Sequence, residues 1–275
     1  MPNKERYFSL HNFIDKYEHE NEDKIKFEGL GHKSFKLAMS DGAGGAGIYC
    51  KDWAQKLVDY QPDSIHMKSK FDWDNWYLSL CDSFFRSISK NLPDDIFIRE
   101  KFTNNGSYAT LLYLWRDNSN LYFIGTGDTT LFLFKTSQES YIPSIIYPIN
   151  NQKTINSNPY LLNWNMKFPE IQLQRVEISE GDVIICATDS IARWIINHLF
   201  ILGDLSTITS HLPWNFGLKE DLEKIKKVSN YGSLSELISD LLKIKTEIEF
   251  ELFIKQEIEK KLLTPDDFTL FTYVV

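Results

Sequence analysis

Residues 107–135 set three apolar, strand-like runs almost back to back, and this succession constrains the fold more than any other feature of the chain. "SYATLLYLW" is followed by the polar "RDNSN", then by "LYFIG", "TGDT" and "TLFLFK". Runs of this length bounded by Asn, Asp and Gly read as strands, and connections this short read as hairpins. The expectation is an antiparallel sheet.

Upstream, Phe35, Leu37 and Met39 alternate with Lys36, Ala38 and Ser40. That is the period of a half-buried strand, here ending at Asp41. Parity directs Asp41 to the apolar side, where a carboxylate is costly unless its charge is compensated. The stretch "MSDGAGGAG" then places Gly42, Gly44, Gly45 and Gly47 behind the acid. Glycines there let the backbone turn tightly and approach a neighbour closely.

Helical spacing takes over next. Tyr49, Trp53, Leu57 and Tyr60 share one face, and Trp73, Trp76, Tyr77, Leu80, Cys81, Phe84, Phe85 and Ile88 keep another face apolar until Pro93. This aromatic stripe reads as core packing. Further on, "IQLQRVEI" and "DVIICAT" read as strands joined by the turn "SEGD", with Asp189 ending the second. Ile191, Trp194, Ile195, His198, Leu199 and Leu202 then form a helix face, with His198 a packed histidine. Two or three more helices are expected over 218–262, before a terminal strand in "DDFTLFTYVV". The Asn-rich stretch 149–160 reads as an exposed loop.

With 275 residues and 43% hydrophobic content, the chain supports a sizeable core, read as one compact domain over 1–275. No run approaches the roughly 20 apolar residues of a membrane helix, and "MPNKERYFSL" lacks the apolar core of a secretory signal. The expectation is a cytoplasmic protein with no membrane partner. Cys50, Cys81 and Cys186 stand far apart in apolar surroundings, which suits buried free thiols and neither a zinc site nor a disulfide framework. A net charge of −8 disfavours nucleic acid as a partner. Excess acid suits cation sites instead.

The acids recur at the ends of strand candidates. Asp41 precedes Gly42, Asp128 follows Gly127, Asp189 precedes Ser190, Asp266 and Asp267 open the last strand, and "ENED" occupies Glu20 to Asp23. Turn chemistry alone accounts for any one of them. Carboxylates gathered at one rim would repel each other unless cations neutralised them, and oxygen-only ligation selects hard divalent ions.

In order and local form these motifs resemble the metal-dependent type-2C serine/threonine protein phosphatases. "NED", "SDGAGG", "GTGDTTLFLF", "GDVIICATDS" and "DDFTLFTYVV" follow one another over residues 16–275. The resemblance implies an α+β fold, a four-layer α-β-β-α sandwich of two antiparallel sheets flanked by helices, with two divalent cations, Mg²⁺ or Mn²⁺, at one end. Asp41, Asp189 and Asp266 would be the catalytic carboxylates, Asp41 bridging both ions and the other two holding one. The Gly42 carbonyl would serve the other ion, Glu22 and Asp23 match an early acidic pair near the metals, and Asp128 matches an acid that helps hold a weaker third ion.

Many members place an arginine for the substrate phosphate where this chain has Glu18. Lys16, His19 and Lys24 are the cations close by that could take over. Ser190 stands where a glycine is usual, and Ala43 where eukaryotic members often carry histidine, which points to a divergent, bacterial-type branch. The implied activity is hydrolysis of phosphoserine and phosphothreonine by a metal-activated water, on a phosphorylated protein such as a serine/threonine kinase or its target. Two other readings stay open: a catalytically inactive relative that binds phosphoproteins or regulates, and a metal-free interaction protein whose Asp-Gly turns are only turns.

Overall fold

The computed structural model describes residues 8–14, 21–30, 33–63, 67, 69–137, 140–148, 160–202 and 216–275. Strands β1 (Phe8–Ile14), β2 (Lys24–Gly29) and β3 (Ser34–Ser40) lead into helices α1 (Cys50–Asp59), α2 (Lys70–Ser89) and α3 (Ile96–Asn104). Next come β4 (Tyr108–Ala109), β5 (Leu111–Asp117), β6 (Asn120–Thr126) and β7 (Thr130–Ser137). β8 (Ser140–Tyr147), β9 (Leu162–Asn163), β10 (Gln174–Glu177) and β11 (Val183–Ala187) follow. The remaining elements are α4 (Asp189–Leu202), α5 (Phe216–Val228), α6 (Leu234–Lys243), α7 (Glu247–Glu259) and β12 (Asp267–Val274).

These elements divide between two compact units. The first, residues 20–129 and 158–177, holds a five-stranded sheet in the order β10-β6-β5-β3-β2, the small β4-β9 pair and helices α1 to α3. The second, residues 1–19, 130–157 and 178–275, holds a sheet in the order β1-β12-β11-β7-β8 and helices α4 to α7. Every strand pairing is antiparallel. The expected class, α+β with two antiparallel sheets flanked by helices, is the one found.

In the first unit α2 starts at a capping box in which Ser69 and Asp72 satisfy each other's backbone N–H groups. Trp73, Tyr77, Leu80, Cys81 and Phe84 are buried along one face, and Trp73 stacks on Phe168 with ring centroids 5.5 Å apart. Burying each large apolar side chain contributes about 1.5–3 kcal/mol. Phe85 at the edge of the stripe is 38% exposed but still stacks on the buried Phe102, with ring centroids 5.9 Å apart. In the second unit α4 packs Ile191, Trp194, Ile195 and Leu199 against Phe132, Ile185 and Leu270 of the sheet. β11 is buried on both faces, which is why it reads as an unbroken apolar run.

One expected hairpin is not a hairpin. β5 and β6 do form one, closing at Asn118, which takes φ 55°. "TGDT", however, carries the chain out of the first unit's sheet, where Thr126 pairs with Leu111, into the second's, where Thr130 pairs with Ala187. "SEGD" likewise links β10 and β11, which belong to different sheets. Gly127 and Gly181 take φ 95° and 91°, and a hairpin and a sheet crossing need the same left-handed glycine. Local turn chemistry therefore cannot separate them.

β1, β2, β8 and α3 lie beyond what the sequence reading located, while three helices do occupy the expected 218–262 region. Residues 149–159 of the expected loop, and Lys16, Glu18 and His19, lie outside the described residues. All three cysteines are buried free thiols. Among the described residues no helix is long and apolar enough to cross a membrane.

Candidate functional site

In the first unit the strand ends converge on one rim of the sheet. Lys24 pairs with Ser40, so Asp23 and Asp41 follow at the same end of the β2–β3 ladder. Thr126 pairs with Leu111 at that end too, and Asp128 comes two residues after it. Glu22, Asp23, Asp41, Gly42 and Asp128 are thus all carried to this rim.

Thr110 organises the rim. Its backbone N–H donates to the Asp41 carbonyl at 2.8 Å, and its Oγ1 accepts from the Asp41 N–H at 2.8 Å. The same oxygen lies 2.6 Å from Thr129 Oγ1, beside Asp128, and the Thr110 carbonyl accepts from Ser40 Oγ at 2.6 Å. One hydroxyl therefore fixes both the Asp41 backbone and the 127–129 turn. A lone threonine inside the apolar run "ATLLYLW" was the available signal, and sequence reasoning passed over it.

The glycines answer to close packing. The Gly44 N–H donates to Glu22 Oε2 at 3.1 Å, and a Cβ on Gly44 would sit 2.5 Å from Glu22 Oε1. A Cβ on Gly47 would sit 2.6 Å from the Gly106 carbonyl oxygen. Any larger residue would push Glu22 away or open the loop. The Gly42 carbonyl accepts from the Gly44 N–H at 3.2 Å, which uses one of its two lone pairs. Lys24 turns its ammonium onto the Asn21 and Asp23 carbonyls, at 2.5 and 2.9 Å.

The second unit has a rim of its own. β11 ends at Ala187, and the Thr188 Oγ1 accepts from the Thr269 N–H at 3.0 Å, so the first turn of α4 sits beside the start of β12. Ser190 joins the acids there. Its N–H donates to Asp189 Oδ1 at 2.5 Å and its Oγ donates to Asp266 Oδ2 at 2.7 Å. Asp267 is buried at the head of β12.

Among the described residues, no three His, Cys, Asp or Glu side chains come together as a ready-made metal cage. The donor chemistry of both rims nevertheless fits a hard cation, being carboxylate and carbonyl oxygen. Cys50 borders the glycine loop, its Sγ donating to the Ala43 carbonyl at 3.2 Å, but burial pushes its pKa up to about 11 and keeps it a thiol. A hollow of about 1010 Å³ in the first unit lies at the far end of β3 and β5 from the acids, lined by Lys36, Trp73, Trp115 and Arg116. It has no part in this chemistry.

The sequence matches no family model and no curated protein. Solved structures do match in fold. The S. agalactiae serine/threonine phosphatase superposes with a TM-score of 0.52 at 15% identity, covering 98% of this chain and 99% of that one. Serine/threonine phosphatase Stp1 from Staphylococcus aureus gives 0.52 at 10% identity, covering 98% and 95%. The catalytic domain of the phosphatase PstP, solved with two manganese ions, gives 0.49 at 14% identity, covering 98% and 97%. The first two show the fold: the chain is built as bacterial serine/threonine phosphatases are, in a divergent sequence, as the ordered motifs implied.

Proposed function

We propose that this chain is a metal-dependent phosphatase acting on phosphoserine and phosphothreonine in proteins, such as a serine/threonine kinase or its target. The observation that supports it most is the gathering of the motif acids at one rim of each sheet, in a chain with the phosphatase fold. Asp41, the Gly42 carbonyl, Asp189 and Asp266 would hold Mg²⁺ or Mn²⁺, with Glu22 and Asp23 alongside and Asp128 for a weaker third ion. When bound, such ions supply a water nucleophile at neutral pH and positive charge for the phosphoryl oxygens.

The protein's own groups suit that division of labour. A cysteine nucleophile needs a thiolate, yet burial pushes Cys50 and Cys81 up to about 11 and 12 and Cys186 well above the usual thiol range. Water is then the attacking group. Its oxygen bonds to phosphorus and gives up a proton, the bond from phosphorus to the seryl or threonyl oxygen breaks, and that oxygen takes up a proton in exchange to leave as the free hydroxyl beside inorganic phosphate. Asp41 is kept in place for this by Thr110, and Asp266 by Ser190.

Release of phosphate from p-nitrophenyl phosphate and from a phosphothreonine peptide, measured with and without Mn²⁺, tests the proposal. Turnover that depends on Mn²⁺ and is lost in Asp41→Asn supports it; a metal-replete but inactive wild type overturns it.

A further inference from the structure

Along α4 runs a cavity of about 220 Å³ whose lining joins both acids of the second rim to a group of cations. Asp189, Arg193 and Asn197 follow one another at four-residue spacing on the helix, so a single stripe about 12 Å long forms one wall. Lys224 of α5 and Lys261, just beyond α7, complete the cationic side, and Asp266 closes the acidic end.

Three features point to an anionic occupant. Arg193 is exposed to the cavity and its guanidinium makes no hydrogen bond or ion pair among the described residues, and the same holds for the Lys261 ammonium. An arginine four residues after an aspartate ordinarily pairs with it on the helix surface, so an unpaired one is a donor fork held in reserve. Asn197 is only 4% exposed, yet its Oδ1 is buried without a hydrogen bond. Its Nδ2 makes no hydrogen bond among the described residues either and, unlike Oδ1, is not closed off from solvent, so its N–H donors are available to an oxyanion.

Lys261 adds an independent sign. It takes φ 59°, left-handed backbone at the end of α7 where glycine is the residue without strain. The chain keeps a lysine there at a backbone cost of about 1–2 kcal/mol.

We propose that this cavity is the subsite for the substrate's phosphoryl group, with Arg193 and Lys261 as its principal donors and Asn197 at its floor. It rests on the phosphatase reading above, and it removes the need for an arginine at position 18. Arg193, Lys224 and Lys261 outnumber Asp189 and Asp266, so the lining is net positive before any cation binds. A guanidinium fork matches two phosphate oxygens, and a mobile ammonium adds charge from the other side.

Inorganic phosphate is the probe, titrated calorimetrically into the full chain without metal and again with Mn²⁺, beside kcat and KM for p-nitrophenyl phosphate. Arg193→Ala should weaken phosphate binding and raise KM about tenfold while kcat changes little, and Arg193→Lys should recover part of the loss. Lys261→Gly separates binding from structure, because it should raise the melting temperature by relieving the backbone and still weaken phosphate binding. An active enzyme whose phosphate affinity and KM ignore both substitutions overturns the subsite and leaves the phosphatase reading standing. A wild type without turnover, whose phosphate binding is lost in Arg193→Ala, does the reverse. Absence of phosphate binding to the wild type under either condition, with KM unmoved in the variants, also overturns the subsite.

Discussion

The two rims use one sequence device, an acid where an apolar strand ends, yet they surround it differently. At the first rim the acids are fixed by their own loop: Thr110 holds Asp41 by backbone and hydroxyl, Gly44 donates to Glu22, and Lys24 is folded onto peptide carbonyls. At the second, Ser190 ties Asp189 and Asp266, and the cations Arg193 and Lys261 stand by without partners among the described residues. A site of the first kind can concentrate positive ions. A site of the second kind can also receive an anion beside them, as turnover of a phosphate ester requires.

The largest effect should come from breaking the first rim at its ligand. Asp41→Asn keeps the side chain's size and its hydrogen-bonded backbone but removes its charge, so Mn²⁺-dependent turnover should fall to background with the circular dichroism spectrum unchanged. Residual Mn²⁺-dependent activity near the wild-type level would show that this rim does not hold the ions. Thr110→Val is the gentler version. It preserves shape but leaves the Asp41 N–H and the Thr129 hydroxyl without their partner, a cost of about 1–3 kcal/mol in denaturant stability. Outer-shell losses of this kind weaken metal affinity about 10–100-fold, readable as a shift in the Mn²⁺ concentration for half-maximal activity. An unshifted midpoint would mean that Thr110 organises only the fold.

How much of this was legible in the sequence follows from the range of each interaction. Asp41 and Asp189 were found because each closes a period-two or continuous apolar run, and Asp266 because it opens one, a pattern confined to a few neighbouring residues. β2 was missed although "KIKFEG" alternates, since only Ile25 and Phe27 mark its apolar side and as an edge strand it buries little. β8 is an edge strand too, interrupted by Pro143. The sheet crossings at Gly127 and Gly181 were invisible because a turn's local geometry says nothing about where the next strand pairs. The cavity along α4 was hidden for a related reason: Arg193 lies on α4 and Lys261 just beyond α7, and they meet only in the fold.

Acid should discriminate between the units as well. His11 and His198 both belong to the second unit, and burial holds both below the ordinary imidazole pKa. His198 is set against the Trp194 carbonyl with Glu257 and Lys260 nearby, and His11 against the Ile244 carbonyl with Glu247, Glu249 and Lys245 nearby. As pH falls below about 6.5, the unfolded chain binds these protons before the folded one does, so stability declines until the folded pKa is passed. The slope is at most about 1.4 kcal/mol per pH unit for each histidine. Amide protection, corrected for the intrinsic exchange rate at each pH, should therefore fall more between pH 7.5 and 5.5 in α4, α7 and β1 than in α1 and α2. An equal loss of protection throughout would mean that these histidines do not govern the response.

The smallest effect should come from Ser190, and it bears on whether the second rim is built or merely crowded. Ser190→Ala keeps the backbone N–H that holds Asp189 and deletes only the hydroxyl that holds Asp266. A hydrogen bond to a carboxylate at a part-buried position contributes about 1 kcal/mol net, so the Mn²⁺ midpoint should rise about fivefold with folding stability barely altered. Ser190→Gly removes the same hydroxyl and adds backbone freedom at the first turn of α4, so it should match Ala in metal affinity and fall below it in thermal stability. If neither substitution moves the midpoint, Asp266 is positioned by its own strand, and the contrast between the rims reduces to the cations beside α4. If both move it by the same factor, the serine does at the second rim what Thr110 does at the first. Two units with no strand in common would then have reached the same solution, a hydroxyl that keeps a carboxylate in place.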